Sequence, residues 1–280
     1  MTQTELLRRT VVLLAVATAL AGAAAPAWPQ VPGSIAQPVA AVAPAAAAPK
    51  CTVVPEQARL DFPLARVATQ LATGRPIRIV AIGSSSTYGA GASTPANSYP
   101  SRLQVELGRH FPDHPITVLN RGVGGEEIGD MLARFNTDVI DERPHLVLWQ
   151  VGTNSLLRDR PLDQRATALH DGLSRLKSIR MDVVLVDPQF APKVIAKANA
   201  ERTVVQIAAA AKEETVGVFH RFDMMKRWHE ADGIPFESFV SPDGLHLNDW
   251  SYACLAKWLG FAIADAATRP TAAVAGRPGR

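Results

Sequence analysis

The sequence predicts a three-layer α/β fold, a parallel sheet covered by helices on both faces. Three observations lead there. Short runs rich in Val, Ile and Leu recur along the chain, and they are nearly continuous rather than alternating, as strands buried on both faces must be. Helix-like stretches separate them. Strand and helix then alternate from about residue 77 to the last apolar segment, the order of βαβ units.

The first 27 residues read as an export signal. Arg8-Arg9 supply a positive start, and Thr10 to Ala25 form an uncharged run. That run is shorter than the roughly 20 residues a spanning helix needs, and small residues at Ala21/Ala23 or Ala25/Ala27 offer cleavage sites. An uncleaved anchor is the alternative. The Arg pair is a poor twin-arginine match, because Leu7 and Thr10 flank it, and no cysteine stands near for lipid attachment. Residues 28–50 are Ala/Pro-rich and suit a semi-extended linker. Residues 51–268 form one domain, and 269–280 read as a short disordered tail.

Within the domain the strands are expected at Ile77–Ile82, Ile116–Leu119, Leu146–Val151 and Val183–Val186, with Val216–Phe219 the weakest of five. Helices are expected at Ser98–Phe111, Glu127–Phe135, Leu162–Ile179 and Val194–Ala211. A last one, Trp250–Ala266, follows Asp249 as N-cap.

Composition narrows the function. With 47% hydrophobic and 20% charged residues the chain is globular. Its net charge of +3 comes from the ends, since residues 51–268 carry 23 Lys+Arg against 25 Asp+Glu. That balance leaves no basic footprint for nucleic acid. Cys51 and Cys254 are too far apart in sequence for a CxxC pair or zinc knuckle. In an oxidising compartment they can close a disulfide; otherwise Cys254 is a small buried hydrophobe on the last helix.

In parallel sheets, sites form beyond the carboxyl ends of the strands. The first strand is followed by Gly83-Ser84-Ser85-Ser86-Thr87-Tyr88-Gly89, hydroxyls at a strand-to-helix turn, with neither a P-loop lysine nor the glycine of a GxSxG elbow. The second is followed by Asn120-Arg121-Gly122-Val123-Gly124-Gly125, where a backbone N–H can approach a ligand oxygen. The third leads to Gly152-Thr153-Asn154-Ser155, which offers a neutral amide donor. Ahead of the last helix stand Asp243 and His246, three apart in a turn, a carboxylate and an imidazole able to meet. The histidines at 110, 114, 145, 170, 220 and 229 have no comparable setting, and no HExxH or Cys/His cluster suggests a metal. Each piece alone is most simply a turn. Together they supply what acyl transfer needs: nucleophile, base, orienter and oxyanion donors.

In these four blocks the chain resembles the SGNH/GDSL hydrolase superfamily. The nucleophile block is similar to Gly83-Ser84-Ser85, the second-block glycine to Gly125, the Gly-x-Asn block to Gly152-Thr153-Asn154 and the Asp-x-x-His block to Asp243–His246. Ser84 stands where the family has Asp, and Ser155 where Asp often follows the block-three Asn. The three consecutive serines leave Ser84 and Ser86 open on chemistry alone; the motif register favours Ser85.

The resemblance implies a flavodoxin-like α/β/α sandwich with about five parallel strands. It also implies a cofactor-free serine esterase with Ser85, His246 and Asp243 as triad and Ser85, Gly125 and Asn154 as oxyanion hole. The expected substrate is a small-molecule or polysaccharide ester outside the cytoplasm, with a short acyl group. Alternatives are a lysophospholipase or thioesterase, an O-acetyltransferase, and a non-catalytic glycan-binding module. Trp250, four residues past His246, is either a sugar platform or helix-start packing.

Overall fold

A computed structural model describes residues 48–269. The export signal, the linker up to residue 47 and the tail beyond Arg269 lie outside the described residues.

Five parallel strands form one sheet in the order β2-β1-β3-β4-β5. They are β1 (Ile77–Gly83), β2 (Ile116–Gly122), β3 (Leu146–Gln150), β4 (Asp182–Val186) and β5 (Gly217–Phe219). This is the flavodoxin-like order, with its switch point between β1 and β3. The helices are α1 (Pro55–Ala58), α2 (Ala65–Ala72), α3 (Ser85–Tyr88), α4 (Tyr99–His110), α5 (Ile128–Ala133), α6 (Thr153–Leu157), α7 (Leu162–Ser178), α8 (Pro192–Ile195), α9 (Ala200–Glu213), α10 (Arg221–Glu230) and α11 (Asp249–Thr268). None of the described helices is long and apolar enough to cross a membrane.

The strand runs are continuous because each strand feeds two cores. Ile79 and Ala81 of β1 join Leu103, Met225, Trp258 and Leu259 on one face, under α4, α10 and α11. Val80 and Ile82 join Met131, Leu173 and Ile207 on the other, under α5, α7 and α9. Side chains at successive strand positions point to opposite faces, so both sets must be apolar.

Three expectations needed correction. The second strand runs on through Asn120, Arg121 and Gly122, paired to Ala81, Ile82 and Gly83. It is an edge strand, where polar residues are tolerated, and Arg121 pairs with Glu142 at 2.5 Å. The stretch 194–211 is two helices, not one. Val194 packs in the first core and Ile207 and Ala210 in the second, on opposite faces of the sheet, which no single straight helix can serve. The N-cap of α11 is Asn248, not Asp249: its Oδ1 accepts Ser251 N–H at 3.1 Å and its own N–H donates to Ser251 Oγ at 2.9 Å. At the ends, Cys51 and Cys254 form a disulfide with Cα atoms 5.6 Å apart. Arg269, assigned to the tail, pairs with Asp265 and donates to Leu60 O at 2.5 Å.

Candidate active site

Ser85 opens α3 directly after β1. Its neighbours Ser84 and Ser86 are buried, while Ser85 is half-buried and reaches the surface. Ser84 is held by the sheet, since its N–H and hydroxyl both donate to Gln150 Oε1 at 2.9 Å. Thr87 Oγ1 lies 3.1 Å from the phenol of Tyr99, whose pKa burial pushes up to about 12. These buried bonds hold the turn from beneath.

His246 Nε2 lies 2.8 Å from Ser85 Oγ, and His246 Nδ1 lies 2.5 Å from Asp243 Oδ2. The other carboxylate oxygen, Oδ1, accepts Leu245 N–H and His246 N–H, each at 2.9 Å. Burial acts to raise the Asp243 carboxyl. The hydrogen bonds from the His246 ring and from the two backbone N–H groups outweigh it and hold the group below the usual carboxylate range. The turn is braced from outside: Ser241 N–H donates to His246 O at 2.7 Å and Lys193 N–H to Gly244 O at 3.0 Å. Gln189, buried, donates to Leu245 O at 3.2 Å and accepts from Thr153 Oγ1 and Arg221 Nη2, both at 2.9 Å. One amide thus ties the turn after β3 to the turn carrying His246.

The loop after β2 lies against the Ser85 turn. A Cβ at Gly122 would stand 2.0 Å from Tyr88 N, so only glycine permits the approach. Val123 N–H donates to Gly83 O at 3.0 Å. Gly125 adopts φ +80°, a left-handed conformation that favours glycine. Among the described residues neither the Ser85 nor the Gly125 N–H has a protein acceptor. Asn154 Nδ2 donates to Glu126 O at 2.8 Å, which occupies one N–H of the amide and sets the direction of the other.

Sequence reasoning missed the residue that fixes this loop. Arg134 sends Nε to both Glu126 carboxylate oxygens at 2.9 Å and Nη2 to Glu126 Oε2 at 2.5 Å. The same guanidinium donates to Arg121 O at 2.8 Å and to Asp138 at 2.5 Å. The order of residues shows only its i,i+4 spacing from Asp138; Glu126 and the Arg121 carbonyl are brought to Arg134 by other segments. Two other readings changed. Trp250 packs edge-to-face on Trp228 at 5.0 Å and donates Nε1–H to Pro49 O at 2.7 Å, so it is a packing residue. His220 does meet a carboxylate, with Nδ1 3.3 Å from Oδ2 of the fully buried Asp187.

Residues 50–269 match the family model described as non-GDSL lipase-like. The chain belongs to the non-GDSL lipase-like family. The likeness to SGNH/GDSL hydrolases read from the sequence therefore stands, and Ser84 in place of Asp accords with the family's description. Solved structures share the fold of this lipase-like chain. A two-domain esterase (CEX) active on acetylated mannans superposes with a TM-score of 0.66 at 20% identity, covering 78% of this chain and 58% of that one. The chain thus spans less than two thirds of that esterase. Axe2, an acetylxylan esterase from Geobacillus stearothermophilus, gives 0.58 at 18% identity over 68% of this chain and 95% of its own. A G-D-S-L family protein from Desulfitobacterium hafniense gives 0.54 at 20% identity, over 66% and 98%. In sequence, the lipoprotein YqeF of Bacillus subtilis is 34% identical over 77 residues, which are 27% of this chain and 31% of that protein.

Proposed function

We propose that this chain is a serine esterase that removes short acyl groups, acetyl above all, from carbohydrates outside the cytoplasm. The observation that carries the reading is the hydrogen-bonded line from Ser85 Oγ through the His246 ring to Asp243, built on turns after β1 and before α11. His246 Nε2 takes the Ser85 proton as Oγ attacks the ester carbonyl. The Asp243 carboxylate stabilises the imidazolium that forms. The tetrahedral oxyanion is met by the Ser85 and Gly125 N–H groups and by the second N–H of Asn154. Collapse breaks the bond to the alcohol oxygen, which leaves with the proton from His246. Water then repeats the sequence on the acyl-enzyme, releasing the acid and restoring Ser85. All the groups needed are side chains and backbone of this chain, and the reaction calls for no cofactor.

The carbohydrate assignment is supported by fold neighbours that act on acetylated mannan and acetylxylan. Export is supported by the Cys51–Cys254 disulfide, a bond that persists in oxidising compartments, and by the lipoprotein among the sequence relatives. A fluorophosphonate probe tests the chemistry: Ser85 is labelled stoichiometrically, and Ser85→Ala neither labels nor hydrolyses p-nitrophenyl acetate. Labelling at another serine, or wild-type turnover by Ser85→Ala, removes the proposal.

A further inference from the structure

Large apolar side chains that remain in water mark surfaces made to be covered. Among the described residues five stand out: Tyr88, Val105, Val123, Ile195 and Val205. Two of the five belong to the candidate site. Tyr88, 65% exposed, is three residues past Ser85 on the same helical turn, and Val123, 44% exposed, is two residues ahead of Gly125. Their segments touch where Gly122 approaches the α3 backbone.

Tyr88 lines a cleft of about 390 Å³ together with Ala92, Ser93, Thr94, Pro95 and Asn120. No charged side chain lines it. Its outer wall is preformed and joined to the catalytic turn. Asp249, at the head of α11, accepts Ser93 N–H at 2.8 Å, Ser93 Oγ at 2.5 Å and Asn97 Nδ2 at 2.9 Å. Tyr252 donates its hydroxyl to Ala90 O at 2.7 Å. Gly91 lies so near the His246 turn that a Cβ there would be 2.2 Å from Leu247 O and 3.2 Å from His246 Cβ. The cleft near Gly125 differs in kind, since Glu127, Asp130, Arg160 and Arg165 line it.

We propose that the neutral cleft is the subsite for the sugar that bears the ester, with the Tyr88 ring as the platform on which the pyranose stacks. The inference rests on the esterase reading and deepens it. A pyranose presents a C–H face that an aromatic π-face accepts, and hydroxyls that neutral hydroxyl and amide groups can bond. A phosphate head group needs a cation, and this cleft has none. A long acyl chain needs a continuous apolar wall, and Ser93, Thr94 and Asn120 interrupt this one. Gly91, beside the lining residue Ala92, lies against the His246 turn, so a sugar in this cleft sits on the side where the leaving alcohol is protonated.

Two measurements test it. In the Ser85→Ala background, calorimetric titration with partly acetylated xylo- and manno-oligosaccharides gives the affinity of the intact ester. Tyr88→Ala weakens it roughly tenfold, the upper end of what one aromatic contact contributes, and Tyr88→Phe retains it. With Ser85 present, Tyr88→Ala lowers kcat/KM for the acetylated oligosaccharide relative to p-nitrophenyl acetate by a similar factor, chiefly through KM. Because the ring is exposed, neither change endangers the fold. Unchanged affinity and an unchanged ratio in Tyr88→Ala overturn the subsite, as does a wild-type protein that binds neither oligosaccharide or that prefers a lysophospholipid. Tyr88-dependent binding by a protein that cleaves no ester leaves the subsite standing and removes the esterase reading instead.

Discussion

Arg134 offers the sharpest test of how the loop carrying Gly125, a proposed oxyanion donor, is held. Arg134→Gln removes the guanidinium that reaches the Glu126 and Asp138 carboxylates and the Arg121 carbonyl at once. Arg134 and Glu126 are only 16% and 14% exposed, so the abandoned carboxylate is poorly rehydrated. Breaking such a partly buried, charge-assisted pair costs about 2–4 kcal/mol of stability. The activity consequence follows from Glu126, whose side chain faces Arg134 while its carbonyl accepts the Asn154 amide. Loosening it disturbs the Gly125 N–H and the Asn154 N–H together. Loss of one oxyanion donor costs about 10²–10³ in turnover, so a partial misplacement of two should lower kcat by roughly 10–10³ with little change in KM. Arg134→Lys keeps the charge but not the planar fork, and is expected to recover stability better than kcat. Urea unfolding with p-nitrophenyl acetate kinetics on all three proteins reads both quantities. An Arg134→Gln protein that folds and keeps kcat within about twofold of wild type, a change far below the cost of a lost donor, refutes the reasoning.

Other outcomes follow from the same geometry. Asn154→Ala should cut kcat by about 10²–10³ while KM for p-nitrophenyl acetate moves little, as an oxyanion donor requires. Reducing Cys51–Cys254, which closes a loop of 203 residues, should destabilise the chain by up to about 5 kcal/mol on the chain-entropy account, read as a shift in the urea midpoint. His220 should give a pH signature. Its hydrogen bond to Asp187 raises the imidazolium pKa above the ordinary 6.5, against the opposing effect of burial. A raised folded pKa means that stability is fully present below about pH 6.5 and is lost as pH rises through the folded value. His220→Gln should flatten that slope from about pH 6.5 upward, and an unchanged slope would assign it to another group.

What the sequence disclosed and what it hid divide along a physical line. Strands with two buried faces advertise themselves through unbroken Val, Ile and Leu, and the turn from Asp243 to His246 is local enough for three residues to carry both partners. Ser85, the serine that the motif register points to, lies 2.8 Å from His246, while Ser84 and Ser86 are buried. Arg134, Gln150 and Gln189 were not legible, because a side chain that bridges segments has no signature until the chain is folded. The 194–211 stretch misled for a related reason: helical composition is local, but the face of the sheet that a helix must cover is not. Trp250, four residues past His246, is spent on Trp228 and Pro49, while Tyr88, inside the serine turn itself, is left bare.

The proposed nucleophile and its base, Ser85 and His246, stand 161 residues apart in the chain. During synthesis Ser85 emerges well before His246, and the thiol at Cys51 must wait for Cys254 before it can be sealed. On the proposed mechanism the serine is an inert alcohol without that base, so a chain clipped between β5 and His246 contains all five strand segments and lacks the proton acceptor.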